Sequence, residues 1–318
     1  MSNALKSAGL HTAVIIGFFV LQFVLPEYHL LSVTRIMLLA IFALGFNLLF
    51  GYTGLLSLGH AMFFSAGIYG AGLSVYHLGW SVPTAFVFGT LCGALLGFLI
   101  GLIALRTTGV AFMIVTLMFA KVTYLVIVYF TQYTRGDEGL VMPADSRGFD
   151  LFGWHFSLTD SVTRYNLSLG LLALAMLVVF LLVRGRFGRS LIAIRENEPR
   201  TKMLGYNTFI IKLKALTVSG ALSALSGSSY ALMFAYIGSS FASIQYSIDP
   251  LLYSLLGGAG TVLGPVFGTF TMFYLIDVAS EYTSAYLLVT GVVLVFLVLY
   301  FPRGVFGAIR LKYYRWLP

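Results

Sequence analysis

The amino-acid sequence predicts an all-α polytopic membrane protein of about ten transmembrane helices, within a range of eight to ten, some of them broken or re-entrant. Three observations carry this. Apolar residues form 59% of the 318-residue chain, and 34 glycines raise that share to about 70%, against roughly 45–50% in soluble domains. Only 30 residues are charged, 19 basic and 11 acidic, where a soluble chain of this length carries roughly 80; that is too few to coat a surface facing water. Apolar runs recur from end to end, and at about 20 residues per crossing ten of them leave roughly 118 residues for loops and termini. Residues 1–318 are therefore expected to form one transmembrane domain, with no room for an attached nucleotide-binding or catalytic domain.

Taken in order, the expected crossings fall near 10–25, 34–50, 56–76, 82–105, 109–131, 165–183, 214–237, 249–257, 262–279 and 284–301. The first follows a single lysine and lacks a small-residue cleavage signature, so it reads as a retained helix and not as a removed signal peptide. Net charge is +8, but the placement of the basic residues argues against nucleic acid. Eight of them lie between Arg184 and Lys214 and four between Arg303 and Arg315, a clustering in membrane-flanking segments that follows the positive-inside rule. An even number of crossings puts Lys6, Arg106 and both clusters on one side, so both termini are expected in the cytoplasm. The single cysteine, Cys92, excludes an intramolecular disulfide and a cysteine metal cluster.

The segment 132–164 carries Asp137, Glu138, Asp145, Asp150 and Asp160 against three arginines and suits the external face. It reads either as a solvated loop with a short helix and interfacial Trp154, His155 and Phe156, or as a docking surface for an external protein.

Two segments place glycine and small polar residues at membrane depth. GYTGLLSLGHAMFFSAGIYGAGL, Gly51–Leu73, holds six glycines. Small residues let helices pack closely, and glycine lets a helix break where its backbone lines a cavity. The segment is thus either a tight packing face or an unwound element beside a translocation path, with Gly54, Ser57, Gly59 and His60 as its candidate residues. His60 has no second histidine at metal-ligand spacing, and a hydrogen bond to a neighbouring helix is the simpler role. In SIDPLLYSLLGGAGTVLGPVFG, Ser247–Gly268, Asp249 before Pro250 reads as a helix N-cap, or else as part of the path. Gly257, Gly258 and Gly260 break that helix, and Gly264-Pro265 starts the next.

Ionisable groups inside a membrane are candidate functional sites. Lys121 is central in its apolar run and is expected to snorkel or to pair with a neighbouring subunit. Asp277 and Glu281, one helical turn apart, lie near an external end and read as interfacial. GRFGRSLIAIRENEPRTKMLGYNTFIIKLKAL, Gly185–Leu216, is amphipathic and too charged to cross. Arg195, Glu196 and Glu198 followed by Gly205 predict a short surface helix ended by glycine, within a cytoplasmic connector at about 185–214. Such a helix is a suitable lever for an outside motor.

The stretch from Glu196 to Gly205 resembles the ATPase-contacting loop of ATP-binding-cassette importer permeases, in the form found in branched-chain amino-acid permeases of the LivM type. Other strings match in the same order: GYTGLLSLGHAMFF at 51–64, LRTTGVAFMIVTLMFA at 105–120, RGDEGL at 135–140, LLGGAGTVLGPVFG at 255–268 and FPRGVFG at 301–307. The resemblance covers about residues 35–307. It implies the importer-permease fold, a second related permease as heterodimer partner, two cytoplasmic ATPases, a periplasmic substrate-binding protein and a place in the bacterial inner membrane. It assigns ATPase coupling to Arg195, Glu196, Glu198 and Gly205, and the path to Gly54, Ser57, Gly59, His60, Asp249, Gly257 and Gly258. Two places depart from the family pattern. Pro199, Arg200 and Thr201 replace its usual paired alanines and make the contact more basic. Leu56 stands where a small or polar residue is common, which leaves the substrate open among branched-chain amino acids, urea, short amides and aromatic or organic acids.

The expected function is therefore that of a permease subunit translocating branched-chain amino acids or a related small solute by alternating access, without covalent chemistry. No GxxxxGK[ST] string occurs in the chain, so ATP and Mg are expected on partner ATPases and no cofactor on this chain. The rival is a stand-alone proton-coupled secondary transporter using Lys121, Asp277 or Glu281. An intramembrane enzyme finds no serine, histidine and acid set, no paired aspartates and no HExxH string in its favour.

Overall fold

The structure, a computed structural model, describes residues 3–151 and 154–300 together with Gly304 and Gly307. The basic C-terminus and, apart from those two glycines, FPRGVFG lie outside the described residues. The helices are α1 (Asn3–Leu21), α2 (Glu27–Asn47), α3 (His60–Leu78), α4 (Val82–Ala104), α5 (Val110–Tyr129), a single turn α6 (Thr131–Thr134), α7 (Ser161–Arg184), α8 (Arg186–Met203), α9 (Thr208–Phe234), α10 (Ile244–Gly257), α11 (Leu263–Tyr282) and α12 (Tyr286–Tyr300). Each expected crossing overlaps one of them.

Among the described residues, six helical stretches are long and apolar enough to span a membrane: Glu27–Tyr52, α4, α5, α7, α9 and α11. The expected crossing at 249–257 is a different object. α10 has 14 residues, about 21 Å of helix at 1.5 Å per residue, against a hydrocarbon core of about 30 Å. It is shorter than a full span and is joined through Gly258–Val262 to α11.

The centre of the bundle is α9, which packs on α2, α3 and α4. Its sequence alternates serines with small residues, and those small residues permit close approach. A Cβ on Gly67 of α3 would lie 2.1 Å from the Ala224 carbonyl oxygen, and one on Gly227 would lie 2.0 Å from that of Phe64. The serine hydroxyls then satisfy backbone acceptors across the contact: Ser226 donates to Leu38 O (2.6 Å) and Ser219 to Gly45 O (2.6 Å). α2 is buried almost all round from Leu30 to Asn47, as a helix enclosed by others should be. By contrast α4 exposes Val87, Leu91, Leu95, Leu99 and Ile103, one apolar stripe at helical spacing that faces lipid or a partner.

Three caps fix helix starts. Asp160 accepts from Thr163 N–H at α7, Asn207 from Ile210 N–H at α9 and Ser243 from Tyr246 N–H at α10. The last corrects the sequence reading of Asp249 as an N-cap. α10 begins earlier, capped by Ser243, so Asp249 and Pro250 sit inside the helix. The upstream serine hydroxyl competes for the same role, and Pro250 at the seventh helical position removes a single N–H from the ladder.

The segment 132–164 is more ordered than a loop with a short helix. It holds β1 (Leu140–Val141), which pairs antiparallel with β4 (Tyr236–Ile237) after α9, and a hairpin of β2 (Gly148–Leu151) with β3 (Trp154–Ser157). The side chains of Trp154 and His155 lie outside the described residues.

Candidate functional site: two helix breaks joined at one end of the bundle

The first break follows α2. The helix widens into a π-helical turn at Leu48–Tyr52 and then leaves helical geometry until His60. Gly51 is required in that turn, because a Cβ there would lie 2.1 Å from Asn47 Oδ1 and 2.4 Å from Gly260 N. Gly54, with φ +75°, turns the chain out of the helix. The unwound backbone is not left unpaired: Leu55 N–H reaches Leu49 O, Leu58 N–H reaches the Thr116 hydroxyl of α5 and Gly59 N–H reaches the Ser57 hydroxyl. A Cβ on Gly59 would lie 2.2 Å from Thr116 O, so α5 presses directly on this stretch. Irregular backbone inside a membrane protein is tolerated only with such partners.

α3 then starts deep in the bundle. His60 Nε2 bonds the Ser219 hydroxyl at 2.8 Å, and Ser219 lies eleven residues into α9, about 16 Å from its start. The imidazole is fully buried, with Phe46 and Phe63 edge-on to it at 4.9 and 5.4 Å. Ser247 of α10 accepts from Ala61 N–H at 2.9 Å, so the half-length helix satisfies one of the first amides of α3.

The second break is the α10–α11 turn. Gly257 ends α10 and Gly258, with φ +117°, caps it; Gly260 has φ +76°. A Cβ on Gly257 would stand 1.8 Å from Gly264 O, so α10 and α11 touch backbone to backbone. Asn47 joins the two breaks. Its Nδ2 donates to Thr261 O at 2.8 Å and its Oδ1 accepts from Gly260 N–H at 2.9 Å. One fully buried amide thus holds the end of α2 against the α10–α11 turn.

Arg195 reaches this junction from outside the bundle. It stands on the amphipathic α8 and donates from Nη1 to Gly51 O in the π turn. The would-be Cβ of Gly54 lies 3.0 Å from Arg195 Cγ, and that of Gly260 lies 3.1 Å from Arg195 Nη1. Two candidate sets that are separate in the sequence, the α8 segment and the broken segments, therefore meet at one side chain. The others of the first set sit around it. Glu196 is exposed. Glu198 pairs with Lys212 of α9 at 2.8 Å and Lys202 at 3.2 Å, and accepts from the Thr208 hydroxyl at 2.9 Å. Burial pushes the Glu198 carboxyl up, but the bonds from Lys212, Thr208 and Lys202 outweigh it and hold the group below its ordinary value. Gly205, with φ +86°, follows the helix end. The expected short helix is in fact the second limb of a bent one: α8 leaves helical geometry at Asn197, whose Oδ1 accepts from Arg200 N–H. Pro199 falls in the first turn of that limb, where its missing N–H removes no bond.

Away from the junction, Asp249 is half-buried within α10. Asp277 accepts from the Tyr28 hydroxyl at 3.0 and 3.2 Å near the start of α2, which places it at the far end of the bundle from Asn47. Lys121 lies over the Tyr124 ring at 4.5 Å. Among the described residues no group of three or more His, Cys, Asp or Glu side chains gathers for a metal. Sequence reasoning misses Asn47, Gly51, Gly260 as a contact and the serines of α9. A lone asparagine in the apolar run 34–50 is the available signal, since a buried amide must find partners.

The family model for the permease component of branched-chain amino acid transport systems matches residues 29–299. The high-affinity branched-chain amino acid transport system permease protein LivM of Escherichia coli K12 is 27% identical over 295 residues, covering 87% of this chain and 69% of its own length. The autoinducer 2 import system permease protein LsrC of Salmonella typhimurium LT2 is 31% identical over 105 residues, 31% of this chain and 30% of its own. A probable branched-chain amino acid transport permease protein LivM of Methanocaldococcus jannaschii is 34% identical over 83 residues, covering 26% of this chain and 24% of its own length. No solved structure matches. With the match running from α2 into α12 and containing both breaks, the chain belongs to the family of permease components of branched-chain amino acid transport systems.

Proposed function

We infer that this chain is a permease subunit of an ATP-driven importer of branched-chain amino acids in the bacterial inner membrane, pairing with a related second permease, two cytoplasmic ATPases and a periplasmic binding protein. In this reading ATP and Mg bind only the ATPases, both termini and α8 are cytoplasmic, and the hairpin segment 132–164 faces the binding protein. α8 with Glu196 to Gly205 is the coupling helix. The breaks containing Gly54, Ser57 and Gly59, and Gly257 and Gly258, with His60 and Asp249 near them, form the gate of the path.

The observation that carries the reading is Arg195. A side chain from a charged surface helix grips the carbonyl of a π turn and lies against glycines of both broken segments. A displacement of α8 by a motor is therefore delivered to two breaks at once, and Asn47 makes them move together. This is a two-arrangement element biased from outside. The relatives named for branched-chain amino acids support the substrate class, and LsrC marks the other class in the wider family.

The test is uptake by the whole complex in proteoliposomes, with ATP inside and the binding protein outside. Leucine, isoleucine and valine accumulate only when all parts are present. Arg195→Gln keeps ATP hydrolysis within about twofold while uptake per ATP falls about tenfold. Unchanged coupling in Arg195→Gln removes the lever, and uptake driven by a pH gradient in vesicles of this chain alone overturns the importer reading.

A further inference from the structure

At the end of the bundle opposite α8, a cleft of 570 Å³ opens between α5, the segment after it and the start of α10. That volume falls within the roughly 300–1,000 Å³ of small-molecule sites. Its lining includes Lys121, Tyr124, Asp137, Ser239, Ser243 and Gln245. The polarity is unusual for its depth. Lys121 is eight residues, about 12 Å of helix, from the end of α5, and the exposed side chains around it are Met118, Val122 and Leu125. An ionisable group at this depth is a candidate functional site, and here it borders the polar lining of the cleft.

Two opposite charges line the cleft, and neither is neutralised by the other. Neither belongs to the ion pairs seen at Glu198; Lys121 lies over the Tyr124 ring at 4.5 Å. Asp137 is positioned by neutral donors, the Ser239 hydroxyl at 2.7 Å and the Tyr124 hydroxyl at 3.5 Å, both to Oδ1. The Asp137 backbone is anchored by its surroundings. Gly136 and Gly139 both adopt positive φ, Gly136 N–H meets the Thr134 hydroxyl, and β1 ties the following residues to β4. Hydroxyls hold the carboxylate in place without supplying a counter-charge.

We propose that this cleft is an entry subsite for the zwitterionic head of an α-amino acid, with the ammonium on Asp137 and the carboxylate on Lys121. The assignment rests on the importer reading and adds to it where the solute first engages the permease after release from the binding protein. The side chain of the amino acid then points into the apolar remainder of the cleft at Ala242 and Ile244. Recognition by two fixed charges explains selection for the shared head of several amino acids without a requirement on one side chain.

The experiment uses the complete complex in proteoliposomes at saturating binding protein and radiolabelled leucine, with Lys121→Gln, Lys121→Arg, Asp137→Asn and Asp137→Glu. Lys121 and Asp137 are both exposed, so assembly is retained and is checked by size-exclusion chromatography. Lys121→Gln and Asp137→Asn each lower uptake per ATP about tenfold, the charge-conserving variants restore at least half of it, and the binding-protein concentration that half-maximally stimulates ATP hydrolysis stays within about twofold. A large shift in that concentration with unchanged uptake per ATP identifies a protein-docking patch and overturns the subsite. So does unchanged uptake in both neutral variants when the wild type transports leucine. If the wild-type complex moves no leucine, isoleucine or valine but moves another solute, the importer's substrate class fails and the zwitterion assignment falls with it.

Discussion

The two ends of the bundle treat a cation in opposite ways. At the α8 end, Arg195 donates to a backbone carbonyl and lies against two glycines, with Asn47 closing the remaining backbone groups nearby. At the other end, Lys121 rests on an aromatic ring beside an open cleft, and Asp137 is held by hydroxyls. The first arrangement is satisfied and space-filling, as the proposed lever requires of a contact that passes on a movement of α8. The second has charge and volume to spare, so it suits a transient visitor. Polar groups in a membrane protein are thus distinguished less by residue type than by whether the protein itself completes their bonds.

The sharpest way to break the closed end is to separate its backbones. Gly257→Val places a branched side chain where a single Cβ already falls 1.8 Å from Gly264 O. Overpacking of this kind at a backbone contact costs several kcal/mol. The expected result is loss of most folded protein by size-exclusion chromatography and a fall in melting temperature of the remainder. A wild-type profile removes the backbone contact from the account.

Next in size is Asn47→Leu, which keeps volume and removes the joint between the breaks. It removes the amide that bonds Gly260 N–H and Thr261 O, and losing a buried hydrogen-bond partner costs about 1–3 kcal/mol. Protection of the amides in 257–262 against hydrogen exchange should fall while the α9 core keeps its own. Uniform loss of protection across α9 would show instead that Asn47 supports the whole bundle.

The smallest effect belongs to Glu198. Its folded carboxyl is held below its ordinary value, so it stabilises the α8–α9 junction above its unfolded pKa, near 4.3. That contribution disappears as pH falls through the lower folded value. Wild type should exceed Glu198→Gln in melting temperature by a few degrees at pH 7, and the gap should close only below about pH 4. A gap that persists at pH 3 would mean that packing, not charge, carries the residue's role.

Much of the fold is legible in the sequence because lipid imposes length and composition on whatever crosses it. The apolar runs that overlap α2, α4, α5, α7, α9 and α11 need no tertiary information to be recognised. The glycine-rich segments are also legible as places of interest, and the charged run 185–214 as a surface element. Where sequence and structure part, the cause is local competition among similar residues. Ser243 and Asp249 both qualify as caps, and the earlier one takes the role. Asn197 and Pro199 make one bent helix from what reads as a short one. The β2–β3 hairpin is hidden because its apolar and polar residues alternate over only four positions on each side.

Sequence alone determined that this chain is built of apolar helices suited to lipid, roughly where most of them fall, that the run 185–214 is too charged to cross, and which family's strings it carries. Only the tertiary structure decided that Arg195 reaches Gly51, that Asn47 unites two breaks more than 200 residues apart in the chain, and that Lys121 and Asp137 share a cleft. The physical reason is that burial and helix length follow from a residue's own transfer free energy and its near neighbours. A hydrogen bond between distant segments follows from shape, and shape is settled when glycine backbones come within contact.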